Sequence, residues 1–144
     1  MGTKTVTMPE PIEALRTHLA VVADLRSAAG VLGWDQETYM PRGGAAGRAM
    51  QLATLSRLAH EAFISATTVK LLEAAEGIAG TLDPDADDAA LVREVRRDYD
   101  RLTKLPAEFV AERAREASLS TEVWKDARKR NDFAAYRPSL EKMV

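Results

Sequence analysis

Cysteine is absent from the 144-residue sequence, and histidine occurs only twice, as His18 and His60. Without thiols there can be neither a disulfide framework nor a thiolate metal site, which excludes zinc fingers and thiol enzymes. There is no surplus of positive charge either, since 20 Lys and Arg residues face 22 Asp and Glu residues, for a net charge of -2. We therefore expect no nucleic-acid partner and no anionic membrane partner.

Long hydrophobic runs are missing as well. The apolar runs are short, as in Leu19–Ala23, and the N-terminus lacks the apolar stretch of a signal peptide. We therefore expect a soluble, cytoplasmic protein. The length and the hydrophobic fraction of 46% suit one globular domain, so a single region over residues 1–144 is predicted.

Helical periodicity is what the sequence has instead. Alanine is the commonest residue and runs of β-branched or aromatic residues are absent, which predicts an all-α fold of about five to six amphipathic helices in a bundle-like array. After Pro9 and Pro11, an apolar stripe at three- and four-residue steps marks the first helix. The stripe consists of Ile12, Leu15, Leu19, Val22, Leu25, Ala29 and Leu32, and Gly30 and Gly33 loosen its end.

Start and stop signals place the other helices. Residues 34–44 contain Pro41, Gly43 and Gly44 and lack helical periodicity, so they are predicted as an ordered connection. The second helix buries Leu52, Leu55, Leu58, Ala59, Ala62 and Phe63. The third begins at a Thr67 or Thr68 cap, buries Val69 and Leu72, and stops before Gly77 and Gly80.

The fourth helix is predicted to start at the Asp83 cap and Pro84, with Leu91, Val95, Tyr99 and Leu102 on its apolar face. The fifth starts at Pro106 and runs to about Arg130. Its predicted buried stripe is Val110, Ala114, Ala117, Thr121 and Trp124.

The last segment is predicted as a turn over residues 131–137, followed by a helix that Pro138 opens. Leu140, Met143 and Val144 begin a new apolar stripe, but no C-terminal signal follows. A helix of about two turns is not stable alone, so we expect the chain to be truncated within this helix.

Three patterns resemble functional motifs but have structural explanations. His60-Glu61 begins like the zinc-peptidase motif H-E-x-x-H, yet Ile64 occupies the second ligand position, which favours a His-Glu pair on a helix surface. The acidic cluster of Asp83, Asp85, Asp87 and Asp88 lacks the Gly and Glu of a calcium loop and suits a helix start. The arginines of the fourth helix, Arg93, Arg96, Arg97 and Arg101, alternate with acidic residues, as on a solvated face.

A cluster of large and charged side chains in the predicted 34–44 connection is harder to explain structurally. It consists of Trp34, Asp35, Glu37 and Tyr39, which we take as candidates for a substrate cleft because functional residues concentrate on such connections. The alternative is that Trp34 and Tyr39 anchor the connection against the first two helices while Asp35 caps backbone amides.

Several blocks of the sequence resemble the N-terminal part of the carboxypeptidase Taq family of metallocarboxypeptidases. The longest blocks are VLGWDQETYMP at residues 31–41 and QLATLSRLAHE at 51–61, and further ones are VREVRRDYD at 92–100, TKLP at 103–106, WKDAR at 124–128 and NDF at 131–133. They cover the chain almost from end to end. One departure is Arg42, which stands where the family commonly has a second proline.

The resemblance implies a helical enzyme, usually a homodimer, that uses a divalent metal, zinc or cobalt, to remove single amino acids from the C-termini of peptide substrates. It also implies that the metal site, an H-E-x-x-H and a downstream glutamate, lies beyond this chain. The first hypothesis is accordingly an inactive N-terminal segment with no catalytic or metal-binding residue of its own. The second is a non-catalytic helical module that dimerises through Leu140, Met143 and Val144.

Overall fold

The fold is described by a computed structural model for residues 10–143. Within this range the chain forms six α-helices and one short 3-10 turn, and no strand, so the predicted all-α class is confirmed. The helices are α1 (Glu10–Thr38), α2 (Ala45–Phe63), α3 (Ala66–Ala79), α4 (Asp87–Leu102), α5 (Ala107–Arg130) and α6 (Phe133–Glu141), and the 3-10 turn is Arg42–Gly44. Pro9 and Val144, which enter the predictions above, lie outside the described residues. No helix of the described range is long and apolar enough to cross a membrane.

One compact unit comprises, of the described residues, 10–22 and 62–104, and therefore the start of α1 with α3 and α4. Its core is built from large aliphatic and aromatic side chains. They include Ile12, Leu15, Val22, Phe63, Leu72, Val92 and Val95. The predicted inward face of α1 is confirmed here, and each fully buried leucine or isoleucine contributes roughly 1.5–3 kcal/mol.

Ion pairs and hydrogen bonds surround this core. Arg16 on α1 pairs with Asp88 at the start of α4 at 2.6 Å. Arg96 on α4 donates two hydrogen bonds, of 2.6 and 2.8 Å, to the carboxylate of Glu76 on α3. The hydrogen bonds from Arg96 lower the pKa of Glu76, and those to Glu76 raise the pKa of Arg96. The predicted solvated arginine face is confirmed in part, because Arg97 pairs with Glu94 at 2.5 Å along the helix.

The second unit comprises residues 23–61 and, of the described C-terminal part, 105–143. It contains the rest of α1, most of α2, and α5 packed on α6. Its buried apolar side chains are all alanines, namely Ala49, Ala53, Ala59 and Ala127. Leu58, predicted to widen the buried stripe of α2, is instead exposed.

The predicted end of the first helix is wrong, because α1 continues through Gly30 and Gly33 to Thr38. Each glycine costs about 1 kcal/mol relative to alanine in a helix, which is not enough to end a helix whose last turn is held by other contacts. Gln36 supplies such contacts, as described below. The third helix likewise does not stop before Gly77 as predicted, because α3 continues to Ala79.

Two helix starts also differ from prediction. The cap of α3 is Ser65, whose Oγ accepts a bond from the Thr68 amide at 3.2 Å. The fourth helix begins at Asp87, because Asp83 accepts from the Asp85 amide at 2.9 Å and so forms a turn of its own. In both cases a short polar side chain competes for nearby amides, and the sequence offers more than one such side chain.

The predicted turn over residues 131–137 is largely helical, because α6 starts at Phe133 and contains Pro138. The Asp132 side chain caps it by accepting from the Ala135 amide at 3.1 Å. α5 ends at Arg130 as predicted, and Asn131 follows in the left-handed conformation, with φ 52° and ψ 38°. Asparagine tolerates that conformation better than most residues, so two residues suffice to join the two helices.

Candidate functional site

The four predicted cleft residues lie on the last two turns of α1 and just beyond it, not in a long connection. The Trp34 and Tyr39 rings contact each other edge to face at 5.8 Å. They are 60% and 76% exposed, so the alternative that they anchor the chain against the first two helices is wrong. They form an aromatic pair on the surface.

Asp35 turns away from this pair and towards α2. Its Oδ2 lies 2.5 Å from Nη2 of Arg48, and the same guanidinium donates to the Leu32 carbonyl. Asp35 therefore forms an ion pair rather than capping amides with its side chain. Arg48 ties the end of α1 to α2 with both a charge and a carbonyl contact.

Glu37 belongs to a second cluster, which joins α1 to α5 around Lys125. Its Oε2 lies 3.3 Å from Nζ of Lys125, and Glu122 contacts the same ammonium at 3.0 Å. Lys125 also donates to the Gln36 carbonyl at 3.1 Å. A cation bound to a late carbonyl of a helix is favoured by the helix dipole, so Lys125 stabilises the end of α1.

Gln36, like Lys125, Glu122 and Ser118, belongs to this cluster but is not among the residues predicted from the sequence. It is 6% exposed, and its amide nitrogen donates to the Ser118 carbonyl at 2.9 Å and to Glu122 at 3.2 Å. Its amide oxygen accepts from the Ser118 hydroxyl at 2.8 Å. The signal was present in the spacing, because the step from Ala29 to Leu32 continues four residues on to Gln36.

The same contacts explain why the predicted stripe of α5 is wrong. Ser118, Ser120 and Ala127 are buried there, whereas Ala117 and Trp124 are exposed. Apolar periodicity identifies a face that packs on apolar partners. α5 instead places Ser118 against the polar Gln36, so the buried face is offset from the apolar one.

Glu122 and Lys125 are both stabilised in their ionised forms. Burial alone would raise the pKa of Glu122, but hydrogen bonds from Lys125 and Gln36 outweigh it and lower that pKa. Burial likewise opposes the charge of Lys125, yet Glu122 and Glu37 raise its pKa overall. A general acid or base works best with a pKa near the working pH, so this pair suits structure better than proton transfer.

A polar cleft of 380 Å³ opens beside the cluster, lined by Met40, Arg42, Asp126 and Lys129 together with Gln36–Thr38, Glu122 and Lys125. Its acidic and basic groups largely face each other, as Arg42 and Asp126 do at 3.7 Å. The arrangement can hold helix ends together. Its lining residues do not direct several charges of the same sign at one point, as binding of a charged ligand would need.

The two histidines do not make a metal centre. Nε2 of His60 lies 2.9 Å from the Leu105 carbonyl, which can only accept, so this nitrogen carries a proton. Nε2 of His18 lies 2.8 Å from the Thr68 hydroxyl, whose own proton goes to the Ala62 carbonyl, so His18 donates as well. His60 is also buried rather than on a helix surface as predicted.

Carboxylates do not complete a metal site with them. Among residues 10–143, no group of three or more His, Asp or Glu side chains could hold a metal ion. A catalytic zinc needs three protein ligands and an open position. Residues 10–143 therefore do not fit the metal that the family resemblance implies.

The fold and the polar clusters together define the described chain as an all-helical scaffold. Its polar clusters hold the ends of its helices in place. Comparison with known proteins assigns it more closely. The sequence model of the carboxypeptidase Taq (M32) metallopeptidases matches residues 14–144, and the chain belongs to this family.

Curated relatives agree with this assignment. Thermostable carboxypeptidase 1 of Thermus thermophilus is 35% identical over 121 residues, which cover 84% of this chain and 24% of the relative. The protein of the same name from Pyrococcus furiosus is 32% identical over 117 residues, or 81% of this chain and 23% of the relative. The chain thus spans about a quarter of the length of these relatives.

The fold agrees as well. The solved structure of Pyrococcus furiosus Carboxypeptidase Apo-Mg superimposes with a TM-score of 0.68 at 30% identity. The match covers 95% of this chain and 27% of that one. The helices described above are therefore a portion of the carboxypeptidase fold.

Proposed function

We propose that this chain is the N-terminal helical segment of a metal-dependent carboxypeptidase that removes single amino acids from peptide C-termini. The observation that carries the proposal is the family match over residues 14–144 combined with its span of about a quarter of the relatives. The intact enzyme would be a cytoplasmic homodimer with zinc or cobalt. Residues 1–144 would form one helical region of it.

No step of hydrolysis is assigned to this chain, because Nε2 of each histidine already donates a hydrogen bond and no group of three or more His, Asp or Glu side chains among residues 10–143 could hold a metal ion. The metal ligands would lie in other parts of the enzyme, and the isolated chain would be inactive. The contribution of this segment is positional, since the Lys125 and Arg48 contacts hold the end of α1.

Trp34 and Tyr39 are proposed to line the substrate cleft, because an exposed aromatic pair offers a surface for peptide side chains. In a chimera that carries this chain in place of the matching segment of the Pyrococcus furiosus relative, Trp34→Ala should raise KM for a blocked dipeptide. Val21, which is exposed and lies more than three turns before Trp34 on α1, provides the control variant Val21→Ala. Equal KM values for both variants would remove Trp34 from the cleft.

Inactivity is tested on the 144-residue chain itself. The purified chain is incubated with zinc or cobalt, and both bound metal and release of the C-terminal residue from a blocked dipeptide are measured. We expect no stoichiometric metal and no turnover. Stoichiometric zinc together with chelator-sensitive turnover would overturn the proposal, and a sharply melting oligomer without turnover would favour the dimerisation module.

A further inference from the structure

Large apolar side chains are distributed unevenly between the two compact units. Of the 13 exposed large hydrophobic residues in the described chain, only Val21 lies in the unit of residues 10–22 and 62–104, which leaves 12 in the other. That second unit buries only alanines among its apolar residues. Small side chains therefore fill the buried contacts of its helices, and twelve of its large ones are exposed, which is the pattern of a surface that another polypeptide covers.

One concave part of this surface lies at the junction of α5 and α6. A groove of 370 Å³ is lined there by Trp124, Ala127, Arg128, Asn131, Asp132, Phe133 and Tyr136. The Phe133 and Tyr136 rings meet at 6.4 Å, and Phe133 is 64% exposed. The left-handed Asn131 and the Asp132 cap fix the turn that shapes the groove, so it is built by the backbone.

The charge of the groove defines what would complement it. The Arg128 guanidinium lies 5.3 Å from the Trp124 ring centre, and no carboxylate of the described residues pairs with it. Asp132, the acidic lining residue, already accepts from the Ala135 amide. An arginine stacked on an aromatic ring keeps its donors for an anion. The fitting occupant presents a large apolar side chain with a carboxylate beside it.

We propose that this α5–α6 groove is a docking surface for the remaining part of the carboxypeptidase fold, which seats an apolar side chain between Trp124 and Phe133 and a carboxylate on Arg128. The inference rests on the proposed function, since a chain that matches about a quarter of its relatives has three quarters of that fold to contact. Aromatic and arginine side chains in a concave patch are typical of the energetic centre of an interface.

The test co-expresses the tagged 144-residue chain with the portion of the Pyrococcus furiosus carboxypeptidase that this chain does not match, and measures how much of that portion co-purifies. We expect Phe133→Ser to lower recovery about tenfold or more, as loss of an interface centre does. Arg128→Gln should lower it as well, and it leaves the apolar wall of the groove intact. Val21→Ser, an exposed apolar residue of the other unit, is the control and should leave recovery unchanged.

Circular dichroism of each variant checks that the helices remain. Equal recovery by the wild-type chain, Phe133→Ser and Arg128→Gln would overturn the groove and leave the proposed function standing. A homodimer that Phe133→Ser dissociates, with recovery unaffected, would overturn it in favour of a second copy. No recovery by the wild-type chain would overturn the proposed function and this inference with it.

Discussion

The buried hydrogen bonds of Gln36 join α1 to α5 through polar groups rather than apolar ones. Removing them should therefore destabilise the fold measurably. Gln36→Leu keeps much of the side-chain volume but removes both bonds to Ser118 and the bond to Glu122. Ser118 is itself buried, so its hydroxyl loses its acceptor away from water.

The cost follows from the number of bonds. Two bonds between neutral groups contribute about 1 kcal/mol each. The bond to Glu122 contributes less than a buried charged bond would, because Glu122 keeps Lys125 at 3.0 Å and is partly hydrated. We therefore expect Gln36→Leu to lower the free energy of unfolding by about 2–3 kcal/mol.

A double-mutant cycle isolates the pair. Ser118→Ala alone should cost about 1–2 kcal/mol, but in the Gln36→Leu background it should cost close to nothing, because both polar partners are then gone. Urea unfolding followed by circular dichroism and by tryptophan fluorescence gives the four free energies, and coincident curves establish the two-state treatment. Gln51→Leu is the control at an exposed glutamine, and it removes only the exposed bond from Arg48 at 3.2 Å.

Additivity of the two substitutions within about 0.5 kcal/mol would refute this reasoning, because independent sites add and coupled ones do not. A cost for Gln36→Leu no larger than that of Gln51→Leu would refute it as well. Either result would mean that the end of α1 is held by other contacts.

Further predictions concern charges and caps. The pKa values of Glu76 and Glu122 lie below the ordinary value of 4.5, so the stability that these ionised groups contribute is present above pH 4.5 and is lost as the pH falls through their folded-state values. The urea midpoint should decline on acidification below pH 4.5, and a midpoint independent of pH in that range would contradict the assignment. Asp132→Ala should cost about 1 kcal/mol in urea unfolding, and a loss no greater than that of Asp126→Ala would argue against the cap. Arg48→Lys should cost about 1 kcal/mol in the same assay, because lysine lacks the fork that reaches Leu32 and Asp35 together, and an unchanged midpoint would show that a point charge suffices.

The helical class and much of one core could be predicted from the sequence, because large apolar residues at helical spacing have one physical explanation. Ile12, Leu15 and Val22 follow that spacing and are buried. The end of α5 at Arg130 could also be predicted, since basic residues and an asparagine converge there. Such signals are local in the sequence, so they can be interpreted without knowing which helix packs against them.

What the sequence could not indicate depends on partners distant in the chain. Gln36 and Ser118 are 82 positions apart, and neither is apolar, so no periodicity of hydrophobic residues links them. The sequence predicts a connection at Trp34 because Gly33 and Pro41 lie near it. The helix continues beyond that point because Gln36 bonds to Ser118 and Lys125 bonds to the Gln36 carbonyl. These partners are distant in the sequence and meet only in the folded chain.

The chimera with the Pyrococcus furiosus relative decides whether this chain is a positional segment of a metallocarboxypeptidase whose chemistry lies elsewhere. The measurement is the rate at which it releases a C-terminal amino acid, compared with the same enzyme lacking the matched segment. We expect release by the chimera that a chelator abolishes, and no release by the shortened enzyme. A folded, metal-loaded chimera without activity, or a shortened enzyme that is equally active, would contradict this expectation.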